Sequence, residues 1–400
     1  MNALLFRHDV PRYLTTRTVY TMARRLWSVR LAPLDRVQLG PSSPTRPGWV
    51  RLRVRLSGIC GTDLNLVTGR DSLFLEPEAS YPFVPGHEVV GEIDGQGTRA
   101  AVWSVIGCRA RGLDPPCRAC RSGWEGRCER RSEAWPGSGL GIGFNRETGG
   151  GWAEACLVHS SQLWTLPPTV SDADAVLLDP AATALAAVLR TETTPQERTL
   201  VIGGGTIGLL VAHLHANLGR PGACELIVRH AFQKEWAARH GYTATVLGSD
   251  AEFRDWASAR GMPARRVTGY GWVFRGVFDR VIDAAGSRRS VAWGLAATQP
   301  GGRLVSIAAP TTLAGIDPTP LWYHEITWRG IYVYGPVPWE GESVHPFAVL
   351  LPRLASGRLA LRELLTHTFP LTDYVRAFHV ALARASSRAI KVAFVPAAGG

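Results

Sequence analysis

The sequence from Thr199 to Gly219 reads Thr-Leu-Val-Ile-Gly203-Gly204-Gly205-Thr206-Ile207-Gly208-Leu-Leu-Val-Ala-His-Leu-His-Ala-Asn-Leu-Gly. Apolar residues precede the glycines, and apolar residues at helical spacing follow them, which predicts a strand, a turn and a helix. Glycines in this pattern let the backbone approach a pyrophosphate that binds the amides of the helix N-terminus. The glycine pattern alone is weak evidence, but its place between a strand and a helix predicts a dinucleotide-binding site. The predicted site comprises Gly203, Gly205, Thr206, Ile207 and Gly208.

The next predicted strand, residues 224–228, ends in Arg229 and His230. Enzymes that bind NAD usually carry an acidic residue at this strand end, which accepts a hydrogen bond from the ribose 2′-hydroxyl. No acidic residue is present here, whereas Arg229 can pair with a 2′-phosphate and His230 can assist. The sequence therefore favours NADP over NAD, although Arg229 as an ordinary solvated residue is the alternative.

Further strand patterns follow at residues 243–247, 278–283, 301–309 and 327–334, separated by segments of helix length. Strands that alternate with helices predict a doubly wound, parallel, six-stranded sheet with helices on both faces. We therefore predict an α/β protein in which residues 184–334 form a Rossmann domain.

Upstream, residues 49–56 alternate apolar residues with arginine, as in a half-buried strand that leads to Cys60. Cys60-Gly-Thr62-Asp63 is followed by Gly86-His87-Glu88. A thiolate and an imidazole suit zinc, and a catalytic zinc needs a third protein ligand while one position stays open. The available acids are Asp63, Glu88 and a downstream residue, Asp179. The alternative is a small buried cysteine and a core histidine without metal.

Four of the seven cysteines lie between Cys108 and Cys128, the other two being Cys117 and Cys120. Seven cysteines are too few for a disulfide scaffold in a chain of 400 residues, so the cluster favours a metal over disulfides.

These motifs, together with Gly-Gly-Trp152-Ala-Glu, resemble the zinc-dependent alcohol dehydrogenases of the medium-chain dehydrogenase/reductase superfamily, in the branch that includes threonine, sorbitol and glucose dehydrogenases. The histidine follows the cysteine by 27 residues, and the later motifs occur in the family's order. The resemblance implies a GroES-like, β-rich catalytic domain over residues 1–183, completed by residues 335–400.

The resemblance also implies two zinc sites. Cys117, Cys120 and Cys128 match the last three ligands of the family's structural zinc lobe, near residues 108–128, whose register places Asp114 at the first position. Cys108 is chemically the better ligand, so either residue could be the fourth, and a lobe without metal is a third possibility. For the catalytic zinc the family supplies a Glu-Pro carboxylate where this chain has Asp179-Pro180, at the end of a helix that Ser171 is predicted to cap.

Because aspartate is shorter, Glu88 or a water could replace Asp179 as the ligand. By resemblance, Thr62 relays the alcohol proton, Asp63 accepts a hydrogen bond from His87, and Glu88 is a neighbouring or exchanging ligand. The predicted reaction is hydride transfer between NAD(P) and a secondary alcohol, polyol or amino alcohol. The alternatives are a zinc-free quinone or enoyl reductase of the same fold and a non-catalytic nucleotide-binding protein.

The formal net charge is +11, but the 44 basic residues are spread along the chain and include only two lysines, Lys234 and Lys391. No basic stripe with interleaved aromatic residues occurs, so we expect no nucleic-acid partner. The longest apolar runs are too short for a membrane span. We expect a cytoplasmic homodimer or homotetramer, with a basic surface helix near residues 12–30.

Overall fold

The computed structural model describes residues 1–40, 44, 46–139, 141–191, 196–309 and 313–396. Two compact units divide the chain, one formed by residues 1–179 with 344–400 and the other by residues 180–343. Among the described residues, no helix is both long and apolar enough to cross a lipid bilayer.

The N-terminal part of the chain is rich in short strands. Its elements are β1 (Asn2–Phe6), α1 (Val10–Met22), β2 (Leu34–Gln38), β3 (Trp49–Gly58), α2 (Gly61–Thr68), β4 (Val89–Ile93), β5 (Arg99–Val102), α3 (Arg118–Arg121), β6 (Ala155–His159), β7 (Leu163–Thr165), α4 (Asp172–Ala175) and α5 (Leu178–Leu189).

Strands and helices alternate in the middle of the chain. The elements are β8 (Arg198–Ile202), α6 (Thr206–Asn217), β9 (Ala223–Val228), α7 (Ala231–Arg239), β10 (Thr243–Val246), α8 (Asp250–Ala259), β11 (Ala264–Val267), β12 (Gly271–Phe274), β13 (Phe278–Asp283), α9 (Arg288–Ala297), β14 (Thr298–Ser306), α10 (Thr319–Tyr323), β15 (Thr327–Gly330), β16 (Val337–Trp339) and β17 (Glu342–Val344).

The C-terminal segment adds two strands and three helices. They are α11 (Pro346–Ala355), β18 (Leu365–Pro370), α12 (Tyr374–Leu382), α13 (Arg384–Ser387) and β19 (Lys391–Val395).

The first unit is built on a seven-stranded sheet with the order β18-β19-β3-β4-β5-β7, in which β6 also pairs with β3. Strand β3 is central because it pairs antiparallel with β4, β6 and β19. Its apolar residues Leu52 and Val54 are fully buried, as its alternating pattern predicts. This pairing brings the C-terminal strand β19 beside the segment that leads into Cys60.

The second unit contains a six-stranded sheet with the order β10-β9-β8-β13-β14-β15, and every pair in it is parallel. In chain order this is the 3-2-1-4-5-6 arrangement of dinucleotide-binding sheets. The prediction of a parallel six-stranded sheet of the dinucleotide-binding kind is confirmed.

One buried ion pair in the second unit was not predicted from the sequence. Arg280 on β13 is fully buried, and its guanidinium donates hydrogen bonds to Thr199 Oγ1 at 3.0 Å and Thr191 Oγ1 at 2.7 Å. Glu197 Oε1 lies 3.6 Å from Arg280 Nε and supplies the opposite charge. Hydrogen bonds to charged groups of this kind tie β13 to β8 and to the end of α5.

Two local predictions have different outcomes. The basic segment near residues 12–30 contains a helix, α1, between β1 and β2, as expected. Ser171 caps α4, its hydroxyl accepting a hydrogen bond from the amide of Asp174, but α4 ends at Ala175. A new helix begins at Leu178, so Asp179 lies in the first turn of α5 instead of after a helix.

Candidate metal centre

Cys60 lies between β3 and α2, at the position that precedes the first turn of α2. Its backbone N–H donates a hydrogen bond of 2.8 Å to Oδ2 of Asp63, which fixes the start of the helix. The thiol is half-buried at the N-terminal end of α2, where the aligned peptide dipoles stabilise negative charge.

His87 and Glu88 immediately precede β4 and meet Cys60 across the sheet. One ligand atom from each of Cys60, His87 and Glu88 lies within 4.8 Å of the other two. Two atoms bound to the same zinc ion lie at most about 4.6 Å apart, so the separation is close to what a shared ion requires. A thiolate, an imidazole and a carboxylate are a ligand set that zinc accepts, and the residues fit the metal.

The approach to His87 depends on the glycine before it. Gly86 has φ +95°, and a Cβ atom there would lie 2.4 Å from Trp152 Cδ1 and 2.8 Å from Ser57 Oγ. A side chain would therefore displace the backbone that presents His87.

Asp63 is fully buried, and its Oδ1 lies 3.6 Å from Nδ1 of His87. This distance exceeds a hydrogen bond, so the expected bond is replaced by an ion-pair contact, while Oδ2 of Asp63 is occupied by the amide of Cys60. Burial raises the pKa of Asp63, and the charge of His87 opposes that rise. For His87, burial lowers the pKa, but Asp63, Cys60 and Glu88 outweigh it and hold the pKa well above its ordinary value.

Lys391, the first residue of β19, places a positive charge next to Glu88, one of the three residues of the cluster. Its Nζ contacts Oε2 of Glu88 and donates a hydrogen bond of 3.2 Å to the carbonyl oxygen of Ile59. The side chains of Lys391 and Glu88 are 3% and 2% exposed, so their charges neutralise each other out of water.

Thr62 and Asp179, also predicted to belong to the catalytic site, lie in two different helices. Thr62 lies in the first turn of α2, and its buried hydroxyl has no hydrogen-bond partner among the described residues. A buried hydroxyl of this kind is able to form a hydrogen bond with a bound molecule. Asp179 is half-buried in the first turn of α5 and, within the described part of the chain, does not belong to the group formed by Cys60, His87 and Glu88.

The second cluster contains Cys108, Cys117, Cys120 and Cys128, whose sulfur atoms also lie within 4.8 Å of one another. Cys108 Sγ is 3.6 Å from Cys128 Sγ, too far for a disulfide. Tetrahedral zinc with bonds of about 2.3 Å spaces sulfur ligands about 3.8 Å apart, so the cluster fits that ion. Of the two candidates for the fourth position, Cys108 joins the other cysteines, whereas Asp114 is exposed and does not.

Backbone amides stabilise negative charge on this cluster. The N–H of Cys117 donates to Cys108 Sγ at 3.4 Å, and that of Cys108 donates to Cys120 Sγ at 3.4 Å. Burial raises the pKa of Cys117, but amide groups of Cys120 and Glu129 oppose it and bring that pKa to about 7. Burial raises the pKa of Cys120 and that of Cys128, so Cys117 is the one of these three that is favoured as a thiolate, the form that binds zinc.

The predicted dinucleotide site lies between β8 and α6 in the second unit. Gly205 precedes the first turn of α6, which contains Thr206, Ile207 and Gly208. A Cβ at Gly208 would lie 1.7 Å from the carbonyl oxygen of Gly203, so the two segments pack too closely for any other residue. At the end of β9, Arg229 is exposed and its amide donates to Gln233 Oε1 at 3.0 Å, while the His230 ring stacks on Phe232.

Reasoning from the sequence missed Lys391 because it lies 303 positions beyond its partner Glu88, where spacing carries no information. A signal was available in composition, since Lys391 is one of only two lysines among 44 basic residues. The position favours a lysine because a compact ammonium group fits between Glu88 and a carbonyl oxygen.

Comparisons with known proteins agree with this geometry. Residues 46–168 match the family model described as the alcohol dehydrogenase GroES-like domain. L-threonine 3-dehydrogenase of Paraburkholderia phymatum is 27% identical over 345 residues, which cover 85% of this chain and 91% of that protein.

Solved structures resemble the fold over nearly the whole chain. Alcohol dehydrogenase TADH from Thermus sp. ATN1 is 23% identical, with a TM-score of 0.71 and coverage of 99% of this chain and 100% of that one. The 2R,3R-butanediol dehydrogenase from Bacillus subtilis is 21% identical, with a TM-score of 0.68 and coverage of 91% and 96%.

Proposed function

We propose that this chain is a zinc-dependent alcohol dehydrogenase of the medium-chain dehydrogenase/reductase superfamily, which transfers a hydride between an alcohol or carbonyl substrate and NAD(P). The convergence of Cys60, His87 and Glu88 within 4.8 Å is the observation that carries this proposal. We assign the catalytic zinc to these three residues and a structural zinc to Cys108, Cys117, Cys120 and Cys128.

A zinc ion bound at the first cluster supplies Lewis acidity that makes a substrate hydroxyl more acidic. Thr62 Oγ1 accepts the proton of the substrate hydroxyl and passes it towards solvent. Asp63 holds the His87 ring through its charge, with Nδ1 on the carboxylate side, so that the other ring nitrogen is free to bind. Lys391 neutralises Glu88 and limits how strongly that carboxylate competes for the metal.

The carboxylate ligand can be assigned by counting zinc in purified variants. We expect about two zinc ions per chain in the wild type and about one in Cys60→Ala, with NAD(P)-linked activity reduced more than about 100-fold. If Glu88 is the ligand, Glu88→Gln loses more catalytic zinc than Asp179→Asn. Activity is assayed with secondary alcohols, polyols and amino alcohols, using NAD and NADP in turn.

Cys224→Ala is the matched control, since Cys224 is half-buried outside both clusters and should keep both zinc ions. Full activity of Cys60→Ala without its catalytic zinc would refute the proposal and favour the zinc-free reductase.

The proposal also covers the cofactor preference, the cellular location, the oligomeric state and the class of substrate. Arg229 and His230, without an acidic residue at the end of β9, support NADP over NAD. We place the enzyme in the cytoplasm as a homodimer or homotetramer. A secondary alcohol, a polyol and an amino alcohol are all compatible with the metal cluster.

A further inference from the structure

Arg111 is a buried cation that follows the first of the four clustered cysteines by one turn. We call Cys108, Cys117, Cys120 and Cys128 the cysteine cluster. The amide of Arg111 donates a hydrogen bond of 3.1 Å to the carbonyl oxygen of Cys108. Arg111 is 5% exposed, and no aspartate or glutamate of the described residues pairs with it. A buried charge without a partner of opposite sign is costly. Four thiolates outweigh the charge of one Zn²⁺ ion, so the loaded cysteine cluster is negative and would balance Arg111.

The guanidinium of Arg111 holds a second segment of the chain by two carbonyl oxygens. Nη1 donates a hydrogen bond of 2.6 Å to the carbonyl oxygen of Gly137, and Nη2 donates one of 3.4 Å to that of Gly139. The φ angles of these glycines are +73° and +142°, a range that other residues rarely adopt. Because a guanidinium is planar and presents its donors in a fixed fork, the two bonds define the direction of this segment.

Asn145 joins the same segment to the residues that follow it. The side chain of Asn145 is fully buried, and its Nδ2 donates hydrogen bonds of 3.1 Å to the carbonyl oxygen of Pro136 and 2.9 Å to that of Ser138. A Cβ at Gly139 would lie 2.8 Å from this Nδ2, so the segment is folded closely onto the amide group. Residues 136–139 are therefore held by Arg111 on one side and by Asn145 on the other.

The two residues before Asn145 pack against His87, a ligand of the catalytic zinc in the proposed function. The ring centroids of Phe144 and His87 are 5.3 Å apart, with 30° between the ring planes. A Cβ at Gly143 would lie 3.1 Å from the backbone nitrogen of His87, so the two backbones are also in close contact. One side of His87 is therefore packed by a segment that is connected, through hydrogen bonds, to Arg111.

We propose that Arg111 is a positioning residue that couples the cysteine cluster to the orientation of His87. The coupling passes through residues 136–139, Asn145 and Phe144, which form a continuous set of hydrogen-bonded and packed groups. Without a metal ion in the cysteine cluster, Arg111 is a buried charge with no partner, and the segment that it holds packs less tightly on His87. The cysteine cluster thus serves the geometry of the catalytic site as well as the stability of its own loop. This inference rests on the proposed function, through its two metal assignments.

Cobalt at the catalytic site measures the coupling without any turnover. The purified protein is loaded with Zn²⁺ in the cysteine cluster and with Co²⁺ at Cys60, His87 and Glu88, where the visible absorption of Co²⁺ reports the geometry of its ligands. We expect Arg111→Met to shift or weaken these bands and to speed the release of Co²⁺ to a chelator at least about tenfold. Arg109→Met is the matched control, because Arg109 is exposed in the same turn, and it should leave the spectrum and the release rate unchanged.

Asn145→Asp separates the coupling from the stability of the cysteine cluster. Aspartate has the shape of asparagine, but it places a carboxylate oxygen against the carbonyl oxygens of Pro136 and Ser138 in place of a donor. We expect Asn145→Asp to change the Co²⁺ spectrum in the same direction as Arg111→Met, while the cysteine cluster releases its zinc at the wild-type rate. Retention of that zinc also shows that the variant is folded.

An unchanged Co²⁺ spectrum and release rate in both Arg111→Met and Asn145→Asp would overturn the coupling and leave the dehydrogenase proposal intact. Faster zinc release from the cysteine cluster alone would have the same meaning, because Arg111 would then serve only its own loop. A wild type in which Co²⁺ does not bind at Cys60, His87 and Glu88 would instead refute the proposed function, and this inference with it.

Discussion

Glu88 has two competing partners, since its carboxylate lies in the metal cluster and also contacts Lys391. Residue-level chemistry was predictable where it depended on local spacing, as for Cys60 and His87. It was not predictable for Lys391, because this residue comes from the last 20 residues and reaches the cluster only through the pairing of β19 with β3. The choice between Cys108 and Asp114 also needed coordinates, because a loop conformation decides it.

Arg229 is the residue on which cofactor preference is expected to depend. We predict that Arg229→Ala raises KM for NADP about tenfold or more and changes KM for NAD little, because a guanidinium–phosphate pair is lost. Steady-state kinetics with each cofactor at saturating alcohol measure the ratio. Arg239→Ala, an exposed arginine in the last turn of α7, should leave both constants unchanged. Equal effects of Arg229→Ala on both cofactors would contradict the NADP assignment.

Elements were predicted best where the hydrophobic pattern was long and regular. Strand β8, the glycine turn and α6 occur where the sequence places them, and all of β8 after its first residue is buried. The helix capped by Ser171 was predicted too long, because Asp172 to Leu178 contains no proline or glycine that would mark the interruption after Ala175. An interruption of that kind depends on packing.

Helix α11 carries an acid-sensitive cap. His345 precedes its first turn, accepts a hydrogen bond of 3.2 Å at Nδ1 from the amide of Phe347, and stacks on Trp164 at 4.7 Å. Burial lowers the pKa of His345 to about 3. In the unfolded chain a histidine titrates near pH 6.5. The stability that neutral His345 provides is therefore complete above about pH 6.5 and falls as the pH decreases towards 3.

We predict that between pH 6.5 and 4.5 the wild type loses about 2–3 kcal/mol of unfolding free energy that His345→Gln does not lose. Urea unfolding at each pH measures the difference. His379→Gln, an exposed histidine on α12, should follow the wild-type curve. If the unfolding free energies of His345→Gln and the wild type decrease equally with pH, protonation of His345 does not destabilise the fold, and the prediction is wrong.

At the scale of the whole molecule, the alternation of strands and helices predicted the parallel sheet of the second unit, including its number of strands. The sheet of the first unit could be expected only through the family resemblance, because its neighbours β19 and β3 are over 300 residues apart. The quaternary structure is not encoded in any local pattern, but β15 lies at an open edge of the parallel sheet.

We predict that two chains pair through β15 and that light scattering gives twice the chain mass of 43.4 kDa. The N–H of Ile331 donates a hydrogen bond to the carbonyl oxygen of Ser306, the last residue of β14, so the N–H of Gly330 points to the open side. Gly330→Pro removes that donor and should yield folded monomers. Gly330→Ala is the control, since a Cβ there meets nothing within 4 Å. A dimer that persists in Gly330→Pro would exclude pairing at this edge.

The burial of Lys391 leaves this arginine-rich protein with very few reactive amines. Lys234 is exposed on α7, whereas Lys391 is shielded by Glu88. An acylating dye or crosslinker at neutral pH would therefore modify Lys234 almost alone among the side chains. The native enzyme could thus be tethered to a surface, or labelled for single-molecule fluorescence, without engineering a cysteine.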